Sequence, residues 1–410
     1  MISVTDKHNC CGCNACGDIC PKQAISFKDD NEGFWYPEVD MQKCIDCGLC
    51  EKICPFLNAK EQHQPLEVYA AINPDEEIRR NSSSGGMFQM LSKQIIEKGG
   101  LVFGAAFDKD WMVHHLSADN YNDVKKFQGS KYVQSCVSGC YVQVQKALKE
   151  GRKVLFSGTS CQIAALKGFL RKEYDNLLTV DVVCHGVPSP GIWRKYLETL
   201  QQPCVIKGFG KTDVSPLNTN VSIESISFRD KQEGWRNFCF TVHYSVNQQE
   251  MSGTVLSPQN DFELRESLHD NVFMQGFLHN LYLRPSCYTC KVKSGRCHSD
   301  LTLADFWGIW NEIPQIYDDK GISLVLVNTE KGKAVIDTLD CFLMPVKYEQ
   351  GVKYNPCIEH SVEEKKWRSV FMHRYNRGDG LTAVSSVIKL MQPTIFNKII
   401  SKLKNKLYNK

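Results

Sequence analysis

No apolar run in these 410 residues approaches the roughly 20 needed to cross a bilayer. The opening Met1-Ile2-Ser3-Val4-Thr5-Asp6 lacks the basic start and apolar stretch of an export signal. Charge of one sign is scarce too. Lys and Arg total 49 against 46 Asp and Glu, a net charge of +3, which argues against a dedicated nucleic-acid binder. A cytoplasmic location follows, and it changes the meaning of what is abundant. Twenty cysteines would imply disulfides in a small secreted domain; in a reducing compartment they imply metal. The length allows a large core plus at least one smaller module.

The cysteines are not scattered. Cys10-x2-Cys13-x2-Cys16-x3-Cys20-Pro21 is followed by Cys44-x2-Cys47-x2-Cys50-x3-Cys54-Pro55. This is the run that holds two cubane [4Fe–4S] clusters, the fourth cysteine of each run crossing to the other cluster. Cys10, Cys13, Cys16 and Cys54 are expected on one cluster, and Cys44, Cys47, Cys50 and Cys20 on the second. A zinc site has no use for a third cysteine at this spacing. Cys11 has no place in the rhythm and reads as a bystander.

Residues 1–58 are therefore expected to form a small α+β bacterial-type ferredoxin domain. Ala24–Phe27 and Phe34–Pro37 read as its short strands, and 59–65 as a polar linker. Residues 66–360 alternate short apolar runs with helical patterns. Leu101–Phe107, Lys153–Phe156 and Leu178–Val183 read as buried strands, and Met87–Lys98 and Ile163–Lys172 as helices. Further strands are expected near Ser222–Arg229, Asn237–Tyr244, Leu301–Phe306 and Ser323–Val327. This pattern predicts an α/β domain, a mixed and largely parallel sheet with flanking helices. Residues 361–410 read as a helical tail, ending in a basic amphipathic helix over 393–410. Such a helix suits an anionic membrane surface; docking on its own domain is the alternative.

Cys287-x2-Cys290-x6-Cys297 suggests a third cluster, one ligand short. A structural zinc site or three buried thiols would read the same way. Cys161 and Cys184 each follow a predicted strand, and parallel pairing of those strands would put both at the sheet edge where such folds bind ligands. Cys184 is the favoured fourth ligand, with Cys161 beside an organic cofactor; the reverse assignment also fits. Ser82-Ser83-Ser84-Gly85-Gly86, ahead of the Met87 helix, reads as an anion-binding loop or as an ordinary one. Clusters carry single electrons, and a flavin is the usual converter to pairs. His185 is a candidate proton donor or a held loop histidine, and the pair His114-His115 lacks a metal partner.

Six segments in order carry a resemblance: Asn81–Phe88, Gly129–Ser135, Gly158–Gln162, Cys184–Pro190, Phe228–Trp235 and Asp305–Gly308. The series resembles the family of coenzyme F420 hydrogenase/dehydrogenase beta subunits over about residues 66–330. Ala304 and Ser160 depart from its pattern, and no residue identifies a deazaflavin site. The resemblance implies FAD and at least one further [4Fe–4S] cluster. It places Ser82–Gly86, Lys131, Gly158 and Thr159 near the flavin, and Cys161 and Cys184 at the crevice between flavin and cluster. Arg229, Lys231 and Trp235 would face substrate or form a structural hairpin.

The resulting expectation is an iron–sulfur flavin-dependent oxidoreductase. It would pass electrons between a ferredoxin or flavodoxin and a small-molecule or lipid-linked substrate, as in surface polysaccharide biosynthesis, in the cytoplasm or at the inner membrane surface. The alternative is an electron-transfer subunit of a hydrogenase or dehydrogenase complex, including one acting on coenzyme F420.

Overall fold

A computed structural model describes residues 1–201, 219–248 and 262–391. At its N-terminus β1 (Ile25–Asp29) and β2 (Trp35–Val39) form an antiparallel hairpin. Short helices Ala15–Asp18 and Leu49–Lys52 run within the two cysteine repeats.

The larger body is built on an eight-stranded sheet. Its members are β3 (Glu67–Ile72), β4 (Leu101–Phe107), β5 (Val113–Ala118), β6 (Val154–Thr159) and β7 (Leu177–Val182). Three strands then leave for a sheet of their own: β8 (Thr219–Asp230), β9 (Cys239–Gln248) and β10 (Phe262–Ser267). The chain returns with β11 (Leu301–Asp305), β12 (Ser323–Val327) and β13 (Phe342–Pro345). The order β13-β3-β12-β11-β7-β6-β4-β5 has a parallel centre, β11, β7, β6 and β4, with antiparallel strands on both flanks. Central strands covered on both faces read as continuous apolar runs, and Val154-Leu155-Phe156 and Leu177–Val180 are buried throughout.

Helices cover the sheet where their apolar spacing allows. Met87, Leu91 and Ile95, one turn apart on the Met87–Glu97 helix, pack with Val102 and Ala106. The Ser160–Leu170 helix begins earlier than the apolar pattern suggests, because Thr159 and Gln162 form a capping box. The Ser222–Arg229 and Asn237–Tyr244 segments are strands as expected, but they lie outside the main sheet. Their aromatic residues Phe228 and Phe240 pack with Trp193 and Phe273 in a separate core.

The ferredoxin-like body is seated on the larger one. Its Ala15 and Ile53 belong to the core under the Cys140–Lys149 and Ser160–Leu170 helices. Asp18 accepts from the Gly139 amide at 2.9 Å, and Arg368 grips Glu32 with two hydrogen bonds of 3.1 and 2.5 Å. Gly33 and Gly191 meet backbone to backbone, with the Gly191 amide 3.2 Å from the Gly33 carbonyl. A Cβ on Gly191 would fall 2.6 Å from the Cα of Gly33. Among the described residues no helix is long and apolar enough to cross a membrane; the expected basic helix over 393–410 lies outside them.

Gly191→Val tests the seating. Overpacking should cost about 1–3 kcal/mol and open the 59–65 linker to limited proteolysis, while an unchanged cleavage rate would contradict it.

Candidate functional site

The cysteine sulfurs fall into groups. Cys16 senses the charges of Cys13, Cys10 and Cys54, so these four lie together. Cys20, Cys44, Cys47 and Cys50 line a second, shallow hollow, with Cys47 exposed. The third group is Cys161, Cys184, Cys287 and Cys290, whose charges act on one another. Pairing of β6 with β7 in parallel, Thr159 beside Val182, brings Cys161 and Cys184 to one sheet edge. Cys297 has different surroundings from the other three expected ligands. It is buried with Ala165 and Leu166 in the core, and Asp181 is the charged group it senses. Left-handed turns at Ser294, Gly295 and His298 carry the chain past the other sulfurs. Both Cys161 and Cys184 sit where one was expected.

The donor set suits multi-iron clusters. All cysteines among the described residues are free thiols. Backbone amides donate to Cys50 at 3.2 Å, Cys20 at 3.3 Å, and Cys44 and Cys287 at 3.4 Å. Among the described residues no three His, Cys, Asp or Glu side chains are arranged to hold a single ion. A cubane's corners are separate metal atoms, so its ligands need not converge on one point. Burial pushes Cys54 up to about 11 and Cys287 up to about 12; such thiols keep their protons unless a metal replaces them. Cys11 is no bystander, since its thiol contacts those of both Cys13 and Cys161.

Beside the third group lies a cavity of about 310 Å³ walled by Cys184, Gly158, Thr159 and Lys131. That volume falls at the lower end of small-molecule pockets. Ser82, Ser83, Ser84 and Gly86 line it, but the hydroxyls are committed elsewhere. Ser82 donates to the Ile78 carbonyl, Ser84 donates to that of Ile322, and Ser83 accepts from the Ser130 amide at 2.7 Å. Gly85 turns away, its amide donating to Ser323 Oγ at 3.0 Å. The loop's remaining resource for an anion is the backbone at the start of the Met87–Glu97 helix. Lys131 adds an ammonium that, among the described residues, hydrogen-bonds the carbonyls of Gln128 and Gly129, and burial lowers its pKa to about 7.

Cys161 and His185, both expected near the organic cofactor, have different surroundings. Cys161 is absent from the cavity wall and stands with the sulfurs, held below the usual thiol range by Cys11 and the Thr159 hydroxyl. His185 lines the cavity, yet its Nε2 lies 2.6 Å from Asn280 Oδ1 and its Nδ1 3.8 Å from Cys357 Sγ. Burial lowers its pKa, so it is a held, neutral loop histidine. Lys231 and Trp235 are structural. Lys231 caps the carbonyls of Arg79, Ser84 and Lys320, and Trp235 stacks on Trp307 at 4.9 Å and donates to Asp305. Arg229 does reach the cavity wall, ion-paired with Asp305.

His115 escaped the sequence reading, which sought metal partners. Its Nε2 donates to the Ser157 carbonyl at 2.9 Å, and Nδ1 accepts from Ser135, which in turn accepts from Gln162. Burial pulls its pKa down to about 4, leaving a neutral ring on the cavity wall. Arg284, fully buried beside Cys10, was also missed. Neither has a signal in local spacing.

Comparisons with known proteins bear on the same regions. Residues 151–340 match the family described as the C terminus of the coenzyme F420 hydrogenase/dehydrogenase beta subunit, and residues 9–58 match the "4Fe-4S dicluster domain". Over 255 residues the chain is 22% identical to a subunit of the F(420)H(2) dehydrogenase of Methanosarcina mazei, covering 58% of this chain and 72% of that protein. Over 52 residues it is 35% identical to an uncharacterised ferredoxin of Methanocaldococcus jannaschii, covering 13% of this chain and 66% of the ferredoxin. Among solved structures, a chain of the F420-reducing [NiFe] hydrogenase complex from Methanosarcina barkeri aligns with a TM-score of 0.40 and 16% identity. That alignment covers 77% of this chain and 94% of the other. The chain is an iron–sulfur electron-transfer protein related to coenzyme F420 hydrogenase/dehydrogenase beta subunits, with a region matching a 4Fe-4S dicluster domain ahead of one matching the C terminus of that subunit.

Proposed function

We propose that this chain is the electron-transfer subunit of a hydrogenase- or dehydrogenase-type assembly, passing electrons between a protein carrier and an organic cofactor in its cavity. The carrying observation is an unbroken succession of thiol groups. It runs from the set around Cys10, across Cys11, to Cys161, whose charge acts on Cys184 at the cavity wall. The names of the relatives favour this subunit reading over a stand-alone enzyme of polysaccharide assembly, and they make a deazaflavin of the F420 class the organic partner to test first.

Three cubane clusters and FAD complete the proposal; when bound they supply single-electron storage and its conversion to electron pairs. The ligands assigned are Cys10, Cys13, Cys16 and Cys54; Cys20, Cys44, Cys47 and Cys50; and Cys161, Cys184, Cys287 and Cys290. Lys131 and the helix start after Gly86 would hold the flavin's anionic part, since both present positive charge to the cavity. His115, neutral and tied at both nitrogens, supplies a fixed polar wall without a mobile proton.

Iron, sulfide and flavin content after anaerobic purification tests this. About twelve irons and one FAD are expected per chain; about eight irons and no flavin would remove the cavity cofactor and the third cluster. Cys161→Ser and Cys184→Ser should each lose about four irons and Cys297→Ser none, and loss in Cys297→Ser instead would restore the ligand set read from spacing.

Lys131 sets a pH dependence. With its pKa lowered to about 7, the ammonium is present below that pH and lost above it. FAD affinity should therefore fall by up to about tenfold per pH unit above neutrality, and Lys131→Met should flatten the profile. A wild-type affinity independent of pH between about 6 and 9 would contradict this role.

A further inference from the structure

Arg284 is a fully buried cation without a carboxylate partner among the described residues. Its Nε donates to the Cys10 carbonyl at 2.7 Å, Nη1 to Gln134 Oε1 at 3.1 Å, and Nη2 to the Trp35 carbonyl at 3.0 Å and to Cys10 Sγ at 3.5 Å. The ring of Tyr36 lies 4.3 Å from the guanidinium and that of Phe34 lies 5.4 Å away. Buried charges persist in proteins when they are paired or serve a metal centre. Here the negative charge within reach belongs to sulfur. Cys10, Cys11 and Cys287 all act on Arg284, and Arg284 in turn acts on Cys13 and Cys161.

No other side-chain cation among the described residues hydrogen-bonds a sulfur of the three cysteine groups. In the outer set Cys20, Cys44 and Cys50 each receive a backbone amide, with no side-chain cation among the described residues. The two halves of the ferredoxin repeat are alike in sequence spacing, yet only the inner half faces a buried guanidinium. Potentials of iron–sulfur clusters respond to net charge, to hydrogen bonds on sulfur and to solvent exposure. Net charge and a charged hydrogen bond on sulfur favour the inner half, against the greater solvent exposure of the outer half at Cys47. A positive charge beside a thiolate-held cluster stabilises its reduced, more negative state, and water-poor surroundings strengthen that effect.

We propose that Arg284 is a positioning residue that raises the reduction potential of the inner cluster, held by Cys10, Cys13, Cys16 and Cys54, above that of the outer one, so that an electron entering at Cys47 moves inward. The exchange is one electron: the outer cluster is oxidised by one as the inner is reduced by one, with no bond made or broken. Arg284 directly precedes the Pro285–Cys287 turn that carries a sulfur of the third group. The residue that sets the inner potential therefore also fixes that cluster against its next acceptor. This inference rests on the cluster ligands assigned above.

The test is a redox titration of the anaerobically purified full chain, followed by electron paramagnetic resonance. Arg284→Gln should lower the midpoint of one ferredoxin cluster by at least tenfold in electron affinity, about 59 mV for a one-electron couple. The outer cluster should move less, and Arg284→Lys should fall between. Arg368→Ala, which breaks the seating pair with Glu32 but brings no charge to sulfur, should leave the midpoints in place. Unmoved midpoints in iron-replete Arg284→Gln, or equal shifts in Arg368→Ala, would overturn the proposal. Should Arg284→Gln shed iron, Arg284→Lys decides alone, a lowered inner midpoint supporting the proposal and an unchanged one refuting it. A wild-type chain without ferredoxin iron would refute the ligand assignment instead.

Discussion

Parallel pairing of β6 with β7 ends both strands at the same sheet edge, with Thr159 level with Val182. Each strand then delivers a cysteine within two residues, Cys161 on the first turn of a capped helix and Cys184 in the loop that walls the cavity. Carboxyl ends of parallel strands are where such sheets bind ligands, because the loops there diverge and the helix starts point inward. Had the two strands paired antiparallel, these sulfurs would lie at opposite ends of the sheet. The third sulfur group, its neighbour Cys11 and the approach of the ferredoxin-like body to the same edge all depend on that one alignment.

The second constraint is the seat between the two bodies. Shared burial of Ala15 and Ile53, the backbone contact of Gly33 with Gly191, and the buried pairing of Arg368 with Glu32 leave little freedom at the junction. Fixed spacing matters for electron transfer as preorganisation matters for binding, since the costs of alignment are met on folding. Arg284 joins the seat to the chemistry by donating from the larger body to the Cys10 loop.

Much of this was legible in the sequence wherever the cause was local. The two cysteine repeats, the ends of β4 and β12, and the helix after Gly86 follow from spacing and apolar periodicity. Where the cause was distant the reading failed. Cys297 sits near Cys287 and Cys290 in sequence, but left-handed turns intervene and its burial is in an apolar core. Ser82, Ser83 and Ser84 look like free hydroxyls until the partners at Ile78, Ser130 and Ile322 come close. Arg284 and His115 carry no local mark, because burial and partners separated by many residues define their roles. Cys11 fell outside a rhythm, and its significance lies in the contact with Cys161.

Anomalous diffraction at the iron edge from anaerobically grown crystals tests the central claim, the succession of sulfur groups, most directly. The account predicts three iron centres per chain: one among Cys20, Cys44, Cys47 and Cys50, one at Cys10, Cys13, Cys16 and Cys54, and one at Cys161, Cys184, Cys287 and Cys290. Iron bound by Cys297, or no iron at the edge formed by β6 and β7, would contradict it.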